Sequence, residues 1–125
     1  MTKLYHLERF QQHFHMIINN KIIDDIKSYS KQNSPKEVCG FIVESDNDIK
    51  FLPVDNKHPN KESFFIISPK DYLYIKNKYN ILYFFHSHVN SSNFSGLDIF
   101  YQKYHNINML LYNIETDEIK EMKCK

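Results

Sequence analysis

Apolar positions after Asn19 recur three and four residues apart, a spacing typical of an amphipathic helix. Asn19 or Asn20 can cap the start of this helix, because a short amide side chain accepts hydrogen bonds from unpaired main-chain N–H groups. The helix must end before Ser34-Pro35, since proline disfavours helical geometry in the residue ahead of it. The pattern predicts one buried side, formed by Ile22, Ile23, Ile26, Tyr29 and Ser30.

Shorter apolar runs have the length and the β-branched or aromatic content of strands. The most apolar of them, at 81–85, contains no Gly or Pro and continues into His86 and His88. Further helices are predicted to begin at Ser68-Pro69 and Ser95-Gly96, and Leu4, Leu7 and Phe10 suggest a short N-terminal helix or a docking arm. The predicted strands are 14–18, 37–43, 49–54, 64–67, 81–88, 108–112 and 118–122.

The composition is that of one globular domain. The chain has 125 residues, 42% of them hydrophobic and 15% aromatic, which is enough for one core. Sixteen basic residues stand against fifteen acidic ones, so the charge gives no argument for binding nucleic acid or an anionic membrane. We divide the chain into an N-terminal arm, 1–12, and a domain, 13–125.

The sequence also predicts the cellular compartment of the protein. No apolar run approaches the roughly 20 residues that span a bilayer, and the N-terminus lacks the apolar core of a signal peptide. The expected location is therefore the cytoplasm. Cys39 and Cys124 do not form a CxxC pair, and we expect Cys39 in the core and Cys124 on an exposed tail.

The candidate chemistry lies at the end of the most apolar run, at His86-Ser87-His88. Side chains two apart in a strand point to the same face, so both imidazoles can approach one ion. A loop of small polar residues follows, and it could return the carboxylate of Asp98 to the two rings. Three protein ligands with one open position are typical of a catalytic zinc site.

A second His-x-His, at His13 and His15, precedes Asp24 and Asp25 at a similar spacing. The two aspartates fall in the first turn of the predicted helix, where the helix dipole favours negative charge. We therefore interpret them as exposed helix residues, and we place the metal at His86, His88 and Asp98.

Glu37 is an acid at the start of a predicted strand, three residues before Gly40. The other glycine of the chain, Gly96, lies close to Asp98. Glycine permits close approach of another backbone, so its placement suggests tight packing near both acids.

These residues form two separated motifs, Pro35-x-Glu37-x-Cys39-Gly40 and His86-Ser87-His88 followed by Ser95-x-x-Asp98. Together they resemble the JAMM (JAB/MPN) zinc metalloprotease domain over roughly 14–122. The resemblance implies an α/β (α+β) fold of cytidine deaminase-like type, a mixed, curved sheet flanked by helices. It further implies zinc bound by His86, His88 and Asp98.

The same resemblance implies that Glu37 deprotonates a water molecule and that Ser95 stabilises the tetrahedral intermediate. The expected reaction is hydrolysis of a peptide or isopeptide bond in a protein or peptide substrate. Ser95 has a second interpretation, because Ser-x-x-Asp at a helix start also resembles a capping box.

The sequence departs from the family pattern between His88 and Asp98. Nine residues separate them where the family usually has ten, and Val89 and Phe94 replace common prolines. A metal-free JAMM-like scaffold or interaction subunit, docking through 1–12, is therefore the alternative function. Within the enzyme interpretation two settings compete: a phage tail-tip protein, which would be virion-associated, and a prokaryotic isopeptidase acting on a ubiquitin-like protein.

Overall fold

The structure is a computed structural model that describes residues 2–4, 18–89 and 96–124, with the main chain only at 2–4, 96, 97 and 101. The described residues form six strands and three helices. They are β1 (Thr2–Leu4), α1 (Asn20–Asn33), β2 (Cys39–Ser45), β3 (Asp48–Val54), α2 (Pro69–Lys78), β4 (Asn80–His88), α3 (Gly96–His105), β5 (Asn108–Asn113) and β6 (Glu118–Met122).

The caps of the first two helices follow from the local sequence. Asn19 accepts a hydrogen bond from the Ile22 N–H at 3.0 Å, and Ser68 accepts one from Lys70 at 3.2 Å. Helix α1 ends at Asn33, directly before Ser34-Pro35, as the sequence predicts. Its inward side consists of the predicted residues, with Tyr29 only partly buried.

Five strands, β2 to β6, form a mixed sheet, and β1 adds a sixth strand at one edge in the order β1-β6-β5-β4-β2-β3. Strands β4 and β5 are parallel and are connected through α3, whereas the other pairs are antiparallel. The β2–β3 hairpin turns at Asp46 and Asn47, both with positive φ, which short polar side chains tolerate. Strand β4 is therefore central, with β2 and β5 on either side.

The sheet has a buried core on each face, because successive side chains of a strand point in opposite directions. Tyr83 and Phe85 of β4 pack with α1 on one face. Phe84 packs on the other face with Phe41 and with Ile75 of α2. His86 and His88 follow Phe84 at intervals of two, so they share its face.

Gly40 meets the expectation of a close backbone approach. A Cβ atom at this position would lie 2.5 Å from the main-chain oxygen of Leu52 and 2.9 Å from the Cα of Pro53. At Gly40, three residues after Glu37, the backbone of β2 therefore lies close to the backbone of β3.

The strand predicted at 64–67 is wrong. These residues form no ladder with the sheet, and the side chain of Asn56 and the main chain of Lys57 bind their backbone instead. Phe65 and Ile67 are nevertheless buried. The apolar run reflects packing onto the sheet, which burial alone does not distinguish from a strand.

Other expectations also differ from the structure. The spacing of Tyr72, Leu73, Ile75 and Tyr79 predicts a buried side for α2, but Leu73 is 54% exposed. Thr2–Leu4 pairs with β6 as a strand and not as a helix, while 5–17 lie outside the described residues. Ile18, the end of the strand predicted at 14–18, is buried in irregular structure.

None of the described helices is long and apolar enough to cross a membrane.

Candidate metal centre

Strand β4 carries both histidines to the interior of the domain. His86 is 0% exposed and His88 is 8% exposed, and their ring centroids lie 4.9 Å apart. The spacing of two residues along the strand gives both rings the same face. This part of the geometry needs only the local conformation of β4.

Asp98 reaches the two histidines from the first turn of α3. Its Oδ2 lies 3.0 Å from His86 Nε2 and 3.6 Å from His88 Nε2, and the carboxylate is buried. Potential ligand atoms of the three residues lie within 4.8 Å of one another. Residues 90–95 are outside the described part of the chain, yet the short connection leaves Asp98 beside both rings.

The donor set fits a zinc ion. Ligands bound at about 2.0–2.1 Å in a tetrahedron are about 3.3 Å apart, and the two distances from Asp98 Oδ2 lie on either side of this value. Two imidazoles and one carboxylate suit zinc, whereas Mg²⁺ and Ca²⁺ prefer oxygen ligands. If these three residues held a zinc ion, a fourth coordination position would remain for a water molecule.

Glu37 is brought to the same site by the pairing of β2 with β4. Cys39 is the partner of His86 in this ladder. One residue further, the Ser87 N–H donates to the Val38 carbonyl at 2.9 Å, and the Val38 N–H donates to Ser87 Oγ at 3.0 Å. Continued by one more residue, this register places Glu37 opposite His88, and facing residues of an antiparallel pair share one face.

The Glu37 carboxyl is 6% exposed. Burial, and secondly the negative charge of Asp98, raises the pKa of Glu37 to about 8. The protonation of Glu37 therefore depends on the charge of Asp98, the residue that completes the histidine cluster. A group that titrates near neutral pH can both accept and donate a proton there.

Asn56 lies in a polar loop, and no sequence pattern marks it as a functional residue. It is buried, and its amide nitrogen donates to the main-chain carbonyls of Glu37 and Phe64, both at 2.9 Å. Its Oδ1 accepts from the N–H groups of His58 and Ile66, both at 3.0 Å. The side chain thus uses its two donors and two acceptor positions to connect the loop to Glu37.

Phe65 lies within the segment that Asn56 holds, and it stacks on His86. The ring centroids are 4.5 Å apart, with 24° between the planes. This contact covers one face of the imidazole with an apolar ring. Phe65 is the second residue of the apolar run that follows a polar loop, and no local pattern in the sequence indicates its contact with His86.

No other candidate among the described residues joins this cluster. Ser95, His6, His13 and His15 are outside the described residues. Asp24 and Asp25 are exposed on α1, where Asp25 pairs with Lys21 at 3.1 Å. This agrees with their interpretation as solvent-facing helix residues.

The cysteines do not contribute to the histidine cluster. Cys39 is buried in the core, as expected, and burial raises the pKa of its thiol to about 12. Cys124 is partly buried and not fully exposed.

His105 packs against Tyr72 and Phe84, and burial, together with Lys76, lowers its pKa.

Comparison with known proteins shows similarity at the level of fold. No protein-family model and no curated protein sequence matches the chain. Among solved structures, it is similar to the solution structure of protein DSY2949 from Desulfitobacterium hafniense, a structural genomics target, with a TM-score of 0.59. The two sequences are 19% identical, and the match covers 84% of this chain and 88% of that one. The chain is a single small α+β domain with a mixed sheet.

Proposed function

We propose that this protein is a zinc-dependent hydrolase of the JAMM type that cleaves a peptide or isopeptide bond. The proposed zinc ligands are His86, His88 and Asp98, and Glu37 is the proposed general base. The observation that carries the proposal is the convergence of three buried donor groups within 4.8 Å. The finer assignment of a JAMM/MPN-like fold belongs to the same proposal, supported by the mixed sheet and by α3 following the histidine strand.

The chemistry of the donor set supports this assignment. A zinc ion held there would act as a Lewis acid and lower the pKa of a bound water to about 7. His86 and His88 supply neutral nitrogen ligands, and Asp98 supplies negative charge. Phe65 shields one side of His86 from solvent.

Glu37 has the properties of a proton carrier in this site. It lies next to the histidine cluster, it is buried, and its pKa is raised to about 8. Positive charge among the ligands would favour its ionised form, so the carboxylate could accept a proton from the attacking water. The same group then donates this proton to the departing amine. Ser95 is the proposed hydrogen-bond donor to the developing oxyanion.

The direct test is metal analysis of the purified protein by mass spectrometry. We expect about one zinc per chain and loss of this zinc in the His88→Ala variant. His15→Ala is the matched control, because His15 belongs to the rival His-x-His motif. Native-like folding without zinc, or loss of zinc only in His15→Ala, would overturn the proposed site.

A metal-free interaction module is the second candidate, and one surface favours it. Leu73 and Tyr74 of α2, with Ile99, Phe100 and Tyr104 of α3, are exposed large apolar side chains on two neighbouring helices. Clusters of this kind often mark protein-binding surfaces. The metal analysis separates the two candidates. The phage tail-tip and ubiquitin-like settings stay predictions.

A further inference from the structure

A polar cavity opens beside Glu37, on the border between α1, the end of β3 and the loop after it. It encloses about 270 Å³, near the lower end of the roughly 300–1,000 Å³ of small-ligand pockets. This volume suits a side chain or a chain end. We call it the lysine pocket, and the charged residues in its lining are Lys36, Glu37, Asp55, Lys57 and Lys61.

Three exposed lysines from two separate parts of the chain converge on this cavity. Lys36 precedes β2, while Lys57 and Lys61 belong to the loop that Asn56 holds. The Glu37 N–H donates to the Lys61 carbonyl at 2.6 Å, which fixes the backbone of this lysine beside the proposed general base. The arrangement is therefore a product of the fold and not of a run of basic sequence.

The charges of the pocket favour an anion. The acids in its lining are Glu37 and Asp55, and Asp55 already pairs with Lys57 at 3.2 Å. The Lys61 Nζ donates to the main-chain carbonyl of His58 at 3.3 Å, a neutral partner that adds no negative charge. Lys36 has no ionic partner among the described residues. Positive charge thus exceeds negative charge around a concave site, which concentrates anions there.

The position next to Glu37 indicates which part of a substrate the pocket would meet. If Glu37 returns its proton to the departing amine, the amine side of the cleaved bond must lie beside Glu37. We propose that the lysine pocket receives a carboxylate on this amine side, either an acidic side chain or the C-terminal carboxylate of a short leaving segment. The proposal rests on the proposed hydrolase function and specifies its substrate class.

Binding of product-like peptides tests the pocket without requiring turnover. Four fluorescein-labelled peptides form the probe set: Gly-Gly-Gly-Glu-Glu and Gly-Gly-Gly-Gln-Gln, each with a free and an amidated C-terminus. Anisotropy is measured on chelator-treated protein at low and moderate salt. We expect carboxylate-bearing peptides to bind roughly three- to thirtyfold more tightly than the amidated Gln peptide, and salt to reduce this preference. The comparison of Glu with Gln, and of acid with amide, distinguishes the two carboxylate sources.

Two triple variants with equal change of charge make the test specific. Lys36→Gln with Lys57→Gln and Lys61→Gln should abolish the preference, whereas Lys70→Gln with Lys76→Gln and Lys78→Gln on α2 should keep it. Lys36→Glu alone should weaken the preference if the first triple variant is unstable. Equal binding of all four peptides, or equal loss in both triple variants, overturns the pocket. Failure of the hydrolase proposal would appear separately, as absence of zinc.

Discussion

The side-chain amide of Asn56 donates a 2.9 Å hydrogen bond to the main-chain carbonyl of Glu37. Through its other bonds, the same side chain holds the segment that carries Phe65 onto His86. One buried amide therefore connects the backbone of the proposed base to the aromatic ring that covers a proposed ligand. It is a positioning residue for both.

Replacement of Asn56 should destabilise the domain. Asn56→Ala removes the partner of one buried and three partly buried main-chain groups. An unsatisfied buried group costs about 1–3 kcal/mol and a group that water can reach costs less, so we expect a loss of roughly 2–4 kcal/mol in the free energy of unfolding. Urea denaturation measures this loss. Asn60→Ala, on the exposed part of the same loop, should change stability by less than about 0.5 kcal/mol. Equal effects of the two substitutions would contradict the role of Asn56.

Glu37→Gln should separate metal binding from catalysis. The amide keeps the shape of the side chain but cannot accept the proton, so we expect zinc content to be retained and cleavage to fall by about 10²–10⁴-fold. The assay is a peptide and isopeptide library read by mass spectrometry. Glu44→Gln, at the far end of β2, should keep full activity. Undiminished cleavage by Glu37→Gln would remove Glu37 from the mechanism.

The raised pKa of Glu37 predicts a pH dependence of the metal-free protein. Below pH 4.5 the carboxyl is protonated in both the folded and the unfolded chain. Between pH 4.5 and about 8 the unfolded chain releases a proton that the folded protein keeps, so stability falls as pH rises, by up to a few kcal/mol. Urea unfolding at pH 5, 6.5 and 8 measures the decrease. Glu37→Gln should flatten it, and an identical slope in this variant would refute the assignment.

The two cysteines should differ in reactivity towards iodoacetamide. Cys39 is 0% exposed and its pKa is raised to about 12, so few thiolates are available to react. Cys124 is only partly buried and should react first. Mass spectrometry of the native protein should show one rapidly labelled thiol, and Cys124→Ser should remove it. Rapid labelling of Cys39 in folded protein would be inconsistent with its buried environment.

Much of the secondary structure could be predicted, because it depends on local spacing. Helix α1 follows from apolar periodicity and strand β4 from a short β-branched and aromatic run, and the caps at Asn19 and Ser68 follow from side-chain chemistry. The segment 64–67 shows where prediction from a local pattern fails. Its apolar residues predict burial correctly, but pairing with a sheet depends on space beside another strand, which no local pattern contains.

By itself, the sequence determined that His86 and His88 face the same side of a strand, since a period of two leaves no other arrangement. It also predicted the helix that carries Asp98, and it placed Glu37 at the start of a strand, although β2 begins two residues later, at Cys39. Only the tertiary structure decided that these residues meet, because the pairing of β2 with β4 joins positions 47 residues apart in Cys39 and His86. Asn56 and the lysine pocket belong to the same category: the bond from Asn56 to Glu37, and the approach of Lys36 to Lys57 and Lys61, join separate segments that only the folded backbone brings together.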